Sequence, residues 1–236
     1  MHKPFVFFDL GQTLVTEWDF ITHFDGKFLE LLNGYGARID MRNYRAVRDD
    51  IIRDRRIGHG SVKELVIEVC RAILPSGYEN AIMQRIDPEV KAGRKELFRF
   101  ADGAEKVVRE LSHICDLGII ANQSEDIITL LQGAGLDRYF KVTAISGAVR
   151  MKKPDLRIFQ LALKEAGREA QECIMVGDRL DTDMCPANRL GMMATIRVTD
   201  SLFALQEPKE DCEQPAFTVA KLTEVPGIVE KIISRK

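Results

Sequence analysis

Short apolar runs recur along the chain, and each is bounded by polar residues or glycine. Apolar runs of this length are typical of strands that are buried on both faces of a parallel sheet. They occupy residues 4–8, 117–121, 141–146, 173–176 and 194–198. We therefore predict five strands of one buried sheet.

Between these runs, from about residue 103 onward, apolar residues follow the spacing of an amphipathic helix. Residues 105–112, 127–131 and 158–166 carry such a stripe, and Gly167 after the last of them is a helix stop signal. Strands that alternate with helices predict an α/β fold, here a Rossmann-like parallel sheet flanked by helices.

Residues 16–98 differ because they contain four helical stretches and no convincing strand. The stretches cover residues 21–32, 44–56, 62–74 and 86–98. We predict a helical domain over residues 16–98, inserted after the first strand. The α/β core domain then consists of residues 1–15 and 99–236, and it includes a polar, loop-like segment near residues 201–214.

The composition restricts the partners of the protein. The chain has 236 residues, 45% of them hydrophobic, and its 34 Lys and Arg against 36 Asp and Glu give a formal charge of −2. A chain without excess positive charge is a poor match for nucleic acid or an anionic membrane surface. Because no apolar run approaches the length that spans a bilayer, we expect a cytoplasmic protein with no nucleic-acid or membrane partner.

The five cysteines are widely spaced and form no C-x-x-C pair. This spacing supports neither a disulfide framework nor a zinc site. Cys70 and Cys173 lie in apolar surroundings, where cysteine usually packs as a small core residue, so we expect neither to be a nucleophile.

Polar residues follow the predicted strands at the ends where parallel sheets bind ligands. Asp9 ends the first strand, Asn122 follows the second, Lys153 follows the third, and Asp178 and Asp183 follow the fourth. Taken singly, each has a simpler explanation as a turn residue, a helix cap or a solvated surface charge. The ordered set is more specific than its members and predicts a site at one edge of the sheet.

Three segments carry a resemblance to a known family. FFDLGQTLV (7–15), MKKPDLRIF (151–159) and VGDRLDTDMCPANRLGM (176–192) resemble the first, third and fourth motifs of the haloacid dehalogenase-like superfamily of hydrolases. Most members are Mg²⁺-dependent phosphatases, so the resemblance implies a small phosphorylated metabolite as substrate. It also implies that the helical insert after the first motif is a cap domain of the first type.

The residues fit the cofactor that the resemblance implies. Mg²⁺ prefers hard oxygen ligands and usually takes one or two carboxylates, which Asp9 and Asp178 can supply. Asp181 or Asp183 is expected to bind beside them or to support them. The family's remaining protein ligand is a backbone carbonyl two residues after the nucleophile, which is Gly11 in this chain.

The resemblance also assigns roles in the reaction. Asp9 is expected to attack phosphorus and form an aspartyl-phosphate that water then hydrolyses. Lys153 is expected to be catalytic and to bind substrate, because it offsets the anionic cluster and orients the phosphoryl oxygens. Asn122 is expected to bind substrate, while Asp183 and Thr13 are expected to support the site from outside the set of metal ligands.

Two positions depart from the phosphatase pattern. Many members have a second Asp, which serves as general acid and base, where this chain has Gly11, and a Ser or Thr that binds phosphate where it has Ala121. Losses of these kinds cost about 10²- to 10⁴-fold and 10²- to 10³-fold in rate. We therefore expect a slow or selective enzyme that favours aryl or acyl phosphates over alkyl phosphates.

Substitutes for the missing groups are available in the sequence. Asn122, a backbone N–H or Ser124 could replace the hydroxyl, although Ser124 is also a good helix N-cap. Glu17 or Asp19, at the start of the helical insert, could replace the acid.

Other activities of the family fit these residues less well. Gly11 disfavours sugar-phosphate mutase activity, and neither Lys27 nor Lys63 has a recognisable context for a Schiff base. Two alternatives stay open: a phosphate-binding or interaction module without hydrolysis, and a metal-independent 2-haloacid dehalogenase.

Overall fold

The computed structural model describes residues 3–60 and 62–234, and its centre is a six-stranded parallel sheet. The strands of this sheet are β1 (Phe5–Phe8), β4 (Asp116–Ala121), β5 (Phe140–Ile145), β6 (Cys173–Gly177), β7 (Ala194–Val198) and β8 (Phe217–Val219). Two short strands, β2 (Val15–Thr16) and β3 (Arg99–Phe100), form a separate two-stranded sheet. The predicted α/β fold and its five strands are confirmed.

The strand order is β5-β4-β1-β6-β7-β8, and every neighbouring pair is parallel. The first strand, β1, therefore lies in the middle of the sheet. β4 and β5 lie on one side of it, and β6, β7 and β8 lie on the other. β1 lies at the point where the order reverses, which is where open α/β sheets bind their ligands. All four residues of β1 are buried, because both faces of the sheet are covered.

Three helices of the core form where the apolar stripes predicted them: α5 (Ala104–Ile114), α6 (Ile127–Gly133) and α8 (Leu156–Ala166). The core also contains α7 (Ser146–Val149), α9 (Cys185–Arg189) and α10 (Val225–Ile233). α8 begins after Asp155, whose carboxylate accepts from Arg157 N–H at 2.9 Å, and ends at Gly167 with φ +61°. α8 packs its apolar face on β4 and β5, so Ile158 and Phe159 lie in the core with Phe5 and Phe7 of β1.

Residues 17–99 form a second compact unit together with Leu205–Glu207, and the rest of the chain forms the α/β unit. The helical unit contains α1 (Trp18–Gly34), α2 (Met41–Arg53), α3 (Val62–Ile73) and α4 (Glu79–Leu97). Its interior includes a buried polar contact in which Tyr44 Oη donates to Asp25 at 2.8 Å and Arg48 also pairs with Asp25. The sequence did not indicate that three residues of the 201–214 loop belong to this unit.

The prediction about the cysteines was wrong at one pair. Cys185 at the start of α9 and Cys212 in the 201–214 loop form a disulfide, with their Cα atoms 4.4 Å apart. They are 27 residues apart in the chain, and only the path of the loop back over α9 brings them together. Cys70 and Cys173 are buried and free, as expected.

No helix within the described residues has the length and apolar character needed to cross a membrane.

Candidate active site

Asp9 is the first residue after β1 and lies at the carboxyl edge of the sheet. Its backbone N–H donates to the carbonyl of Val176 at 2.8 Å, so the ends of β1 and β6 are held together. The chain then turns tightly, because the N–H groups of Thr13 and Val15 both bond the carbonyl of Leu10. This turn keeps the Asp9 carboxylate at the end of β6, where Asp178 also lies.

Lys153 joins two carboxylates that are far apart in the sequence. Its Nζ lies 2.6 Å from Asp9 Oδ1 and 2.5 Å from Asp183 Oδ1, and the side chain is 2% exposed. A buried ammonium group is stable only when it is paired and hydrogen-bonded, and both conditions are met here.

Asp178 completes the acidic cluster. Ligand oxygens of Asp9, Asp178 and Asp183 all lie within 4.8 Å of one another, and all three residues are buried. Ser201 Oγ donates to Asp178 Oδ2 at 2.5 Å. Asp183 Oδ2 accepts from the N–H of Arg179 at 3.0 Å, so its carboxylate is held by contacts on both oxygens.

The protonation of this cluster reflects burial and mutual repulsion. Burial raises the pKa of Asp9 to about 6, although Lys153 acts in the opposite direction. Burial and the nearby carboxylates of Asp183 and Asp9 raise the pKa of Asp178 well above its ordinary value. Burial alone would lower the pKa of Lys153, but Asp183 and Asp9 outweigh it and the net shift is upward. Lys153 is therefore charged at neutral pH.

A divalent cation matches this donor set. Three buried carboxylates face a single ammonium group, so the cluster carries excess negative charge when it is deprotonated. Hard carboxylate oxygens are the ligands that Mg²⁺ prefers. The pKa values of Asp9 and Asp178 are raised because buried negative charges are unfavourable when no metal ion offsets them. A bound divalent cation would lower the pKa of both carboxyl groups.

Asn122 lies at the end of β4 and contacts the backbone of Lys153. Its Nδ2 donates to the Lys153 carbonyl at 2.9 Å, and its Oδ1 accepts from the Lys153 N–H at 2.7 Å. These paired bonds fix the peptide that carries the ammonium group. The geometry gives Asn122 a positioning role, while its expected contact with substrate stays a prediction.

The two acids that follow Asp178 have different surroundings. Asp181 accepts two hydrogen bonds from the guanidinium of Arg179, at 3.0 and 2.7 Å, and it is not one of the three acids whose ligand oxygens lie within 4.8 Å of one another. Asp183 faces Lys153 instead. Of the two residues that the sequence left open, Asp183 is the one beside the candidate metal site.

The remaining predicted positions lie in the loop after β1 or at and after the end of β4. Gly11 follows Asp9 in the loop, and Thr13 is buried with an Oγ1 that bonds no residue the structure describes. Ala121 is the buried last residue of β4 and brings no hydroxyl. Ser124 is exposed and is not the N-cap of α6, which begins after Asp126.

The segment after β7 contacts the acidic cluster and the loop after Asp9, and the sequence did not predict these contacts. Besides the bond from Ser201 to Asp178, Leu202 N–H donates to the side chain of Gln12 at 2.8 Å. The ring of Phe203 lies 4.3 Å beneath the guanidinium of Arg179. Ser201 stands three residues beyond β7, so the rule that placed the other polar residues at strand ends would also have found it.

Comparison with known proteins now identifies the family. The family model described as haloacid dehalogenase-like hydrolase matches residues 6–197. The chain belongs to this family. It is therefore a hydrolase, and the expectation that the motifs raised is confirmed.

Individual relatives extend over almost the whole chain. A glyceraldehyde 3-phosphate phosphatase of Methanocaldococcus jannaschii is 27% identical over 235 residues, which cover 96% of this chain and 97% of the relative. The pyrimidine 5'-nucleotidase YjjG of Escherichia coli is 25% identical and covers 98% of this chain and 100% of the relative. The crystal structure of magnesium-bound YfnB from Bacillus subtilis shares the fold, with a TM-score of 0.66 and 20% identity over 97% of this chain and 99% of that one.

Proposed function

We propose that this protein is a Mg²⁺-dependent phosphatase that hydrolyses a small phosphorylated metabolite through an aspartyl-phosphate on Asp9. The observation that carries the proposal is the buried cluster in which Lys153 bridges Asp9 and Asp183 beside Asp178. Two relatives that match nearly the whole chain are phosphatases of a sugar phosphate and of nucleotides, which supports the same reaction class.

The cation would be held by the carboxylates of Asp9 and Asp178 and by the carbonyl of Gly11, with Asp183 beside them. When bound, Mg²⁺ supplies positive charge that offsets the repulsion between Asp9 and a phosphate dianion. Ser201 orients Asp178 through its hydrogen bond, and such supporting contacts typically tune metal affinity.

The protein's own groups account for the attack. One oxygen of Asp9 accepts a hydrogen bond from the Lys153 ammonium group. This bond fixes the carboxylate, and the positive charge of Lys153 favours its ionised form. The ammonium group is also placed to neutralise charge on the phosphoryl oxygens as it develops. Asn122 holds the Lys153 peptide, so this arrangement is formed before substrate binds.

Gly11 and Ala121 limit the reaction. No side chain at position 11 protonates the departing oxygen, and none at position 121 binds a phosphoryl oxygen. In the helical unit, Asp19 Oδ2 lies 3.6 Å from Arg99 Nε. One of the two predicted substitutes for the missing general acid therefore already has a cationic partner. We propose that the helical unit acts as the cap and selects the substrate, and that turnover favours good leaving groups. The cytoplasmic location expected from the sequence stays a prediction.

A screen of phosphate release tests the proposal. Purified protein is assayed with Mg²⁺ against aryl, acyl, sugar, nucleotide and small-acid phosphates, with and without EDTA. We expect turnover that EDTA abolishes and that the Asp9→Asn variant lacks. Asp126→Asn is the matched control, because Asp126 is exposed and caps no backbone group with its side chain.

Three outcomes would contradict the proposal. Folded protein that hydrolyses no ester in the panel would favour a function without phosphatase chemistry. Activity that persists in Asp9→Asn would show that Asp9 is not the nucleophile. Turnover of 2-haloacids in EDTA would favour the dehalogenase instead.

A further inference from the structure

The disulfide between Cys185 and Cys212 lies next to the candidate active site. Cys185 follows Asp183 by two residues and begins α9 directly after the π-helical turn Leu180–Met184. Cys212 lies near the end of the segment 199–216, which connects β7 to β8. The bond therefore ties this segment to the start of α9, directly after the turn that carries Asp183.

The opposite end of the same segment contacts the acidic cluster. Ser201 donates to Asp178, and Leu202 donates to Gln12 in the loop that follows Asp9. Segment 199–216 is thus held by the active-site loops at one end and by the disulfide at the other, and between them the carbonyl of Phe203 accepts from Arg197 at 2.6 Å.

Other contacts would remain if the disulfide were reduced. Asn188 Nδ2 donates to the carbonyls of Cys212 and Gln214, both at 2.8 Å, and Arg189 pairs with Glu210 at 2.9 Å. Reduction should consequently loosen the segment without releasing it. The expected change in the metal site is graded rather than complete.

We propose that Cys185 and Cys212 are a redox-modification site that tunes the active site. In the oxidised state the bond fixes segment 199–216 and keeps Ser201 on Asp178; in the reduced state this support weakens and metal affinity falls. The inference about activity rests on the proposed phosphatase function.

The chemistry is thiol–disulfide exchange with a small-molecule disulfide such as glutathione disulfide. Cys212 is the more exposed of the two, so its thiolate attacks one sulfur of the small disulfide, forms a mixed disulfide and releases one thiolate. The Cys185 thiolate then attacks the Cys212 sulfur, forms the protein disulfide and releases the second thiolate. The cysteines together lose two electrons and two protons, and the small disulfide is reduced to two thiols.

Thiol counting tests the bond independently of activity. The chain has five cysteines, and the other three are free, so denatured protein should show three thiols after glutathione disulfide and five after dithiothreitol. Cys212→Ser should show four in both conditions. Because the bond closes a loop of 27 residues, reduction of the wild type should lower Tm by about 5 to 10 °C. Five thiols after oxidation would overturn the proposal.

Two further readouts test the coupling. Lys209 is exposed within segment 199–216, and trypsin should cleave there about tenfold faster in the reduced protein, because the segment opens more often. The Mg²⁺ concentration for half-maximal phosphatase activity should rise about 3- to 10-fold on reduction in the wild type and stay constant in Cys212→Ser.

The outcomes separate this inference from the proposed function. Equal cleavage at Lys209 and equal Mg²⁺ dependence in both redox states would overturn the redox coupling while leaving the phosphatase intact. If no ester is hydrolysed but the thiol count and Lys209 cleavage change as expected, the redox site stands and the phosphatase proposal fails.

Discussion

Gly177 is the last residue of β6, and replacing it with alanine should displace Asp183. A Cβ atom at this position would lie 2.5 Å from Asp183 Oδ2, 2.6 Å from its Cγ and 2.8 Å from its Cβ. Carbon atoms approach other heavy atoms at about 3.5 Å, so the Asp183 side chain must move by about 1 Å. The φ angle at Gly177 is not in the left-handed region, so the effect is steric alone.

Asp183 has little freedom to move. Its side chain is fully buried, one oxygen accepts from Lys153 at 2.5 Å, and the other accepts from the N–H of Arg179 at 3.0 Å. A shift of about 1 Å breaks at least one of these bonds, because hydrogen bonds weaken steeply beyond their normal distance. Overpacking of this kind typically costs about 1 to 3 kcal/mol.

The assay measures stability and metal dependence together. For Gly177→Ala we expect a Tm lower by about 3 to 10 °C in EDTA and a half-saturating Mg²⁺ concentration raised about 10- to 100-fold. The matched control is Gly227→Ala in α10, where an added Cβ meets nothing within 4 Å. That control should be as active as the wild type and no less stable, since alanine is the better helix former.

A Gly177→Ala protein with wild-type Tm and wild-type Mg²⁺ dependence would contradict this prediction. It would mean that Asp183 moves without consequence and is not part of the metal site.

Three further predictions test the charges of the cluster. The folded pKa of Asp9 is about 6 and exceeds the ordinary 3.8, so the wild type loses stability as pH rises through this range. Asp9→Asn should therefore stabilise the metal-free protein by about 2 kcal/mol more at pH 7 than at pH 4. Urea unfolding in EDTA measures it, and a difference independent of pH would contradict it. Lys153→Met should lower kcat about 10²- to 10³-fold at saturating Mg²⁺, whereas Lys152→Met, at the exposed neighbouring residue, should not lower it. Equal kcat values for the two variants would show that Lys153 does not stabilise the phosphoryl oxygens. Because Gly11 supplies no general acid, kcat should fall steadily from aryl to alkyl phosphates as the leaving group becomes more basic, and a flat series with chemistry rate-limiting would contradict this.

The sheet could be predicted because each strand is a short apolar run. β1 and β6 are buried along their whole length, so their sequences are continuously apolar. Once the strands are parallel, their carboxyl ends share one edge, and the meeting of Asp9, Asp178 and Lys153 follows from topology without knowledge of side-chain positions.

Three details lay beyond the sequence because they depend on loop paths. The disulfide requires segment 199–216 to return over α9, and 27 residues of separation do not indicate that path. Asp181 and Asp183 are two residues apart in a π-helical turn, and sequence spacing did not tell which one contacts Lys153. The sequence also did not indicate that the side-chain amide of Asn122 bonds the backbone of Lys153.

Diffraction from crystals soaked in Mn²⁺, an anomalous scatterer with the ligand preferences of Mg²⁺, would locate the metal site. We expect one strong anomalous peak between the carboxylates of Asp9 and Asp178, coordinated by six oxygen atoms, with Lys153 beside it. An absent peak with these carboxylates ordered, or a peak bound only elsewhere on the chain, would contradict it.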